Sequence, residues 1–77
     1  MQRAGTVQEI AQSVAVVRCP SEDHPGLGTP LLDDQLDTVG RVVDVFGPVE
    51  QPLLAVSPDE GVRLAPLLGE TLYYRDA

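Results

Sequence analysis

The chain has 77 residues, enough for one domain spanning residues 1–77, and its 12 acidic residues against 5 arginines give a formal net charge of -7. A chain of this length buries only about 60% of the surface that its unfolded form exposes, so its core is marginal unless disulfides, a metal or a partner stabilises it. Cys19 is the only cysteine, which excludes an intramolecular disulfide and, with a single histidine, a structural zinc site.

The predicted elements are short β-strands, because runs rich in Val and Leu are separated by seven glycines and seven prolines. No window of about eleven residues shows a sustained helical stripe. In chain order the predicted strands are 4–10, 13–19, 30–33, 38–46, 53–57 and 70–74. A polar loop, PSEDHPGLG, separates the second strand from the third, and we expect residues 59–68 to hold one short helical turn ended by Pro66 and Gly69.

Several of these strands are apolar on both faces, as in VAVV at 14–17 and LLAV at 53–56. On the fourth strand, strict alternation places one set on one face (Val39, Arg41, Val43, Val45) and a second set on the other (Gly40, Val42, Asp44, Phe46). A small barrel fills its interior with one face and has no second layer to cover the other, so the excess favours an interface. The alternative is the normal scatter of apolar residues on a surface.

The turn 47–52, between the fourth and fifth predicted strands, is built to be stiff. Gly47 precedes a proline, and Pro48 and Pro52 each fix one backbone dihedral, so the turn loses little entropy when it is held in one shape. A rigid apolar loop is a good docking surface for the same reason, with Phe46 and Val49 as its contact residues. The plainer interpretation, a hairpin turn with Phe46 in the core, is favoured on this pattern alone.

The charge pattern bears on possible partners, because the chain has no lysine and no asparagine. An acidic surface repels phosphate, so stand-alone binding of RNA or DNA is disfavoured. The acidity either complements a basic partner or reflects adaptation to high intracellular salt, and the absence of lysine favours the second interpretation. No apolar run approaches the roughly 20 residues that span a bilayer, and MQRAGTVQEI lacks a signal-peptide core, so we expect a soluble, cytoplasmic protein.

The block VGRVVDVFGPVEQPLLAVSP, followed by GETLYY, resembles the small barrel subunit of archaeal H/ACA ribonucleoproteins, the family whose eukaryotic members carry glycine/arginine-rich tails. Members of that family read V-G-x-V-x-D-V/I-F-G-P-V, then a strand ending near a proline, then G-x-x-L-Y. The matching positions in this chain are Val39, Gly40, Val42, Asp44, Val45, Phe46, Gly47, Pro48, Val49, Pro58, Gly69, Leu72 and Tyr73. The resemblance covers nearly the whole chain.

The resemblance implies an all-β fold, a small six-stranded antiparallel β-barrel of the translation-factor/reductase-isomerase type. It implies a non-catalytic subunit that needs no cofactor, metal or small-molecule substrate and is a monomer when free. Its expected partner is the catalytic pseudouridine synthase subunit, whose substrate loading and product release it tunes, with guide RNA touched only indirectly. The expected partner-binding residues are Phe46, Gly47, Pro48, Val49, Pro52 and Leu53.

The chain departs from the family pattern in two ways. Most archaeal relatives end in a basic tail, whereas this sequence ends at Arg75-Asp76-Ala77, and they carry lysines where this chain has Val43 and Glu50. These departures argue against an auxiliary RNA contact and leave the docking role unaffected. Two other functions stay open: a ribosome-maturation barrel, which typically has G-x-x-G in place of F-G-P-V, and an RNA-binding barrel like those of translation factors.

Several other residues each have a functional and a structural interpretation. Cys19 and His24 suggest a thiol nucleophile pair, but a buried inert cysteine and a loop histidine are favoured. The acids of the 33–37 segment lack the ligand spacing of a calcium loop, so a solvated loop is preferred. Asp44 is expected to accept a hydrogen bond from the backbone at the turn, with pairing to an arginine of a partner as the alternative. Tyr73 and Tyr74 could form a base-stacking platform, but we expect one of them in the core and the other at the rim of the barrel. Arg18 and Arg41 are expected to form an internal salt bridge or to contact the partner.

Overall fold

The computed structural model of the protein describes residues 1–75, so Asp76 and Ala77, on which the expectation about the tail depends, lie outside the described residues. Its strands are β1 (Gln2–Ala11), β2 (Val14–Arg18), β3 (Pro30–Leu32), β4 (Thr38–Phe46), β5 (Leu53–Pro58) and β6 (Thr71–Tyr74). Each overlaps a predicted strand, which confirms the all-β class. No helix in residues 1–75 has the length and apolarity needed to cross a membrane.

The six strands form a closed antiparallel barrel in the order β1-β2-β5-β4-β3-β6, and β6 pairs with β1 to complete the ring. Closure gives each strand of residues 1–75 a neighbour on both sides, although β3 and β6 pair only at Leu32 and Tyr73, and so reduces the aggregation hazard of a small open sheet. The strands β4 and β5 are neighbours in both sequence and space, with Phe46 opposite Leu53. The turn 47–52 therefore projects from one end of a hairpin that is part of the barrel wall.

Two extra residues in β4 overturn the strict alternation expected for this strand. Val42 pairs with Val56 and Asp44 with Ala55, so Val43 has no partner of its own on β5; Val39 is likewise skipped where β4 pairs with β3. A bulge of this kind re-aims the residues that follow it. Consequently Val43 is 49% exposed, whereas Val39 is buried and Val45 packs against the core.

The core fills the barrel interior and is made of small and medium aliphatic side chains. Its buried members are Ala4, Val7, Ala15, Val17, Cys19, Leu31, Val39, Val42, Leu54, Val56 and Leu72. On β2 the residue Val16 alternates with these core residues, yet only 8% of its surface is exposed. Both faces of β2 are therefore covered, as its apolar sequence predicts.

The expected helical turn is present as a short 3-10 helix, Ala65–Leu67, between β5 and β6. Pro66 lies inside this helix at its start and does not end it, so that part of the expectation is wrong. The first positions of a helix tolerate proline because their N–H groups have no intrahelical partner. Gly69, with a φ of +84°, follows the helix, and its N–H donates to the carbonyl oxygen of Val7. This bond ties the connection to β1.

Candidate partner-docking surface

The turn 47–52 has a backbone that suits its residues. Gly47 has a φ of +85°, a left-handed conformation that a side chain disfavours, and an added Cβ would lie 3.3 Å from the Cγ of Leu53. The N–H of Gln51 donates to the carbonyl oxygen of Pro48 across 3.3 Å, which closes the turn. Just before the turn, Oδ1 of Asp44 accepts a 2.9 Å hydrogen bond from the backbone N–H of Val45, as expected for this side chain.

The turn is also fastened to β2 on its far side. Arg18 donates from Nη2 to Oε1 of Gln51 across 2.9 Å, and the N–H of Cys19 donates to the carbonyl oxygen of Pro52 across 3.0 Å. Pro52 itself is buried. Because bonds hold its second half and Gly47 and Pro48 restrict its first half, the turn has few alternative conformations to lose when a partner binds.

The apolar side of the turn borders an open groove of about 450 Å³, here called the docking groove. It is lined by Val45, Phe46, Gly47, Pro48, Val49 and Pro52, and on its other side by Glu22, Asp23 and His24. Phe46 is 41% exposed and Val49 is 79% exposed. Phe46 is therefore a surface residue of the free chain, and the interpretation that buried it in the core is wrong.

Five of the six expected partner-binding residues line the docking groove, and Leu53 does not. Leu53 is half-buried and supports the turn from beneath, against Gly47. Pro52 is buried too, so it shapes the groove and offers little area for contact. The exposed apolar area is concentrated at Phe46 and Val49.

The opposite wall was not predicted as part of the site. Glu22, Asp23 and His24 belong to the polar PSEDHPGLG loop, which folds back toward the turn. Nδ1 of His24 donates to the carbonyl oxygen of Pro25 across 2.8 Å, and Pro25 is buried, which fixes the loop there. The groove thus combines an apolar wall with an acidic one, which suits a partner segment carrying both apolar and basic side chains.

The other candidate sites have structural roles in the described residues. Cys19 is buried, burial raises the pKa of its thiol, and it does not line the docking groove in which His24 lies, so the two form no nucleophile pair. Oδ1 of Asp33 accepts from the N–H groups of Gln35 and Asp37 at 2.9 and 3.0 Å, as in a turn. Residues 1–75 contain no group of three side chains placed to hold a metal ion.

The two tyrosines follow each other on β6 and therefore point to opposite faces, so they form no common stacking platform. Tyr74 packs against the core and its hydroxyl donates to Oε1 of Gln2 across 3.2 Å, while Tyr73 is half-buried. The expected internal salt bridge of Arg18 is absent from residues 1–75, and its guanidinium donates to the neutral amide of Gln51.

A small closed barrel that presents a pre-formed apolar turn beside an open groove has the features of a binding module. The family model of the Gar1/Naf1 RNA binding region matches residues 1–77, so the chain belongs to this family. It is also similar to an uncharacterized protein of Methanothermobacter thermautotrophicus, with 25% identity over 76 residues, 95% of this chain and 82% of the relative. The resemblance to the small barrel subunit of H/ACA ribonucleoproteins is thereby confirmed.

Membership of the family indicates the class of subunit and the kind of ligand. The family consists of non-catalytic protein subunits of H/ACA ribonucleoproteins, and its description names RNA binding. RNA contact is the property that the acidic composition disfavoured for the isolated chain, since a net charge of -7 repels phosphate. Any RNA-binding surface must therefore be a local exception to the overall charge.

Proposed function

We propose that this chain is the non-catalytic barrel subunit of an H/ACA RNA-guided pseudouridine synthase complex and docks on the catalytic subunit through the docking groove. Docked there, it tunes the loading of substrate RNA and the release of product. The observation that carries the proposal is the exposure of Phe46 and Val49 on a turn whose conformation is already fixed. A hydrophobic contact of this kind is the usual centre of a protein interface.

The free energy of the apolar contact can be worked out from the exposed fractions of Phe46 and Val49. Full burial of a Val or Phe side chain contributes about 1.5–3 kcal/mol, so the 79% of Val49 and the 41% of Phe46 that are exposed are each worth about 1.2 kcal/mol. At about 1.4 kcal/mol for each factor of ten, losing both weakens binding about fiftyfold. The apolar part of the contact should persist in high salt, and only the part contributed by Glu22 and Asp23 should be screened.

The test is calorimetric titration of the chain into a cognate archaeal-type synthase, in molar potassium chloride and again in dilute salt. We expect one-to-one binding in both conditions and a loss of about fiftyfold for the double variant Phe46→Ser/Val49→Ser. The matched control is Leu36→Ser/Leu68→Ser, since each of these leucines is 55% exposed and neither lines the docking groove. Circular dichroism checks that both variants remain folded, because Phe46 is partly covered in the free chain.

The kinetic half of the proposal has its own measurement. Stoichiometric addition of the chain should raise the multiple-turnover rate of pseudouridine formation and leave the single-turnover rate unchanged, because a subunit that acts on release does not take part in the chemistry. An unchanged multiple-turnover rate contradicts the tuning role even if docking is observed. Absence of binding by the folded chain in both salts contradicts docking on the synthase.

A further inference from the structure

A second groove lies on the other side of the turn and has the opposite electrostatic character. This arginine groove, of about 390 Å³, is lined by Arg3, Gly5, Thr6, Gln8, Arg18, Cys19, Pro20 and Gln51. Two of the chain's five arginines line it and none of the 12 acidic residues does. In a chain with a net charge of -7, it is a local basic site with neutral hydrogen-bonding side chains around it.

The geometry of β1 explains why these side chains converge. Arg3 and Thr6 are three positions apart, so a regular strand would place them on opposite faces. The extra residue Ala4, which is skipped in the pairing with β6, lets both residues remain exposed on the outer side. Thr6 pairs directly with Arg18 of β2, and this places the two arginine-bearing strands side by side.

The charge of Arg18 is held in position and not neutralised. Its Nη2 donates to Oε1 of Gln51 across 2.9 Å, so its partner is an amide rather than a carboxylate. A guanidinium has five N–H donors, and this bond leaves donors available for an anionic ligand. Neither Arg3 nor Arg18 forms an ion pair within residues 1–75. A fixed, uncompensated guanidinium beside Thr and Gln side chains suits phosphate oxygens.

We propose that the arginine groove binds the phosphate backbone of a single RNA strand and is the RNA contact of this chain. The family's description names RNA binding, and neither the docking groove nor the small groove beside Arg75 contains two arginines. The acidic remainder of the surface repels RNA and so restricts the contact to this one face. The inference rests on the RNA-guided part of the proposed function and not on the docking groove.

The position of Gln51 gives the contact a place in the complex. Gln51 belongs to the turn 47–52 and lines the arginine groove, so this groove begins where the docking groove ends. A synthase bound at Phe46 and Val49 would leave the arginine groove beside its own edge.

The probe is a fluorescein-labelled oligouridine of about twelve nucleotides, titrated with the full chain and followed by anisotropy at several salt concentrations. Each phosphate contact on a single strand contributes a salt slope of about 0.7, so losing one contact weakens binding about fivefold near 0.1 M salt. We expect that loss for Arg3→Gln and again for Arg18→Gln, with the slope falling by about 0.7 each time. The matched control, Arg63→Gln, makes the same change in net charge at an exposed residue outside the groove.

Three results would overturn the inference. The first is no binding of the oligouridine by the folded wild-type chain even in dilute salt. The second is an equal loss for Arg63→Gln and Arg18→Gln, which would reduce the effect to net charge. The third is that Arg3→Gln binds RNA normally but binds the synthase weakly, which would assign the groove to an acidic protein segment. Phe46→Ser/Val49→Ser should leave RNA affinity unchanged, so the docking proposal and this inference fail separately.

Discussion

Replacing Gly40 with alanine tests a close backbone approach between β4 and β5, the two strands that carry the docking turn. Gly40 lies opposite Pro58, and a Cβ added to it would overlap the carbonyl oxygen of Ser57 and lie 3.1 Å from the Cα of Pro58. The atoms in the way are backbone atoms, so no side-chain rotation can relieve the overlap. The strands would have to move apart at a point where the barrel wall is hydrogen-bonded.

The expected cost is at the upper end of the range for overpacked sites, about 3 kcal/mol in the free energy of unfolding. For a domain of this size each kcal/mol lowers the melting temperature by about 4–8 °C, so Gly40→Ala should melt about 12–24 °C below the wild type. The whole stability of a 77-residue domain is about 4–12 kcal/mol, so a large part of it would be lost.

The assay is thermal and urea unfolding followed by far-ultraviolet circular dichroism. The matched control is Gly26→Ala, because a Cβ at Gly26 meets nothing within 4 Å and its φ lies outside the left-handed region. That variant should be neutral or more stable by up to about 1 kcal/mol, since alanine restricts the unfolded chain. If Gly40→Ala and Gly26→Ala unfold within about 0.5 kcal/mol of each other, the argument from backbone overlap is refuted.

Two further predictions concern the acidic turn and the buried thiol. Asp33→Ala should lower the free energy of unfolding by about 1–2 kcal/mol, because Oδ1 of Asp33 accepts two backbone hydrogen bonds. The control Asp34→Ala, at the exposed neighbour, should change it by less than about 0.5 kcal/mol. Equal effects of the two substitutions in urea titrations would contradict this prediction. Burial raises the pKa of the Cys19 thiol above its ordinary value of 9.0, so the unfolded thiol ionises first as the pH rises. The contribution of the Cys19 thiol to the free energy of unfolding is therefore complete below the pKa of the unfolded thiol and declines as the pH rises above it. The wild type should lose more stability than Cys19→Ala between about pH 8 and 10. If the free energy of unfolding falls equally with pH in the two proteins, ionisation of the Cys19 thiol does not contribute to the loss of stability.

Some features of the docking groove were predictable because they depend on short-range chemistry. Gly47 and Pro48 restrict their own backbone, so the sequence predicts a stiff turn after Phe46 whatever surrounds it. The exposure of Phe46 was not predictable, since an aromatic residue at a strand end suits either the core or the surface. The structure resolves this choice because Val43 has no partner on β5, and the bulge changes the direction of the residues that follow.

The acidic wall of the groove lay beyond sequence reasoning for a different reason. Glu22, Asp23 and His24 are more than twenty positions from Phe46 in the chain, and a polar loop carries no pattern that names the surface it will fold against. The burial of Pro25 fixes that direction and depends on the tertiary fold, whereas the hydrogen bond of His24 to Pro25 is local.

The sequence by itself determined the all-β class, the approximate strand bounds and the stiffness of the turn, because short apolar runs, proline and glycine act over a few neighbouring residues. It also determined the acidic charge, which is a sum over the chain and needs no fold. Only the tertiary structure decided which residues share a surface. Arg3 and Arg18 line one groove because β1 pairs with β2 in a particular register and bulges at Ala4, and such a register is set by the packing of the whole barrel.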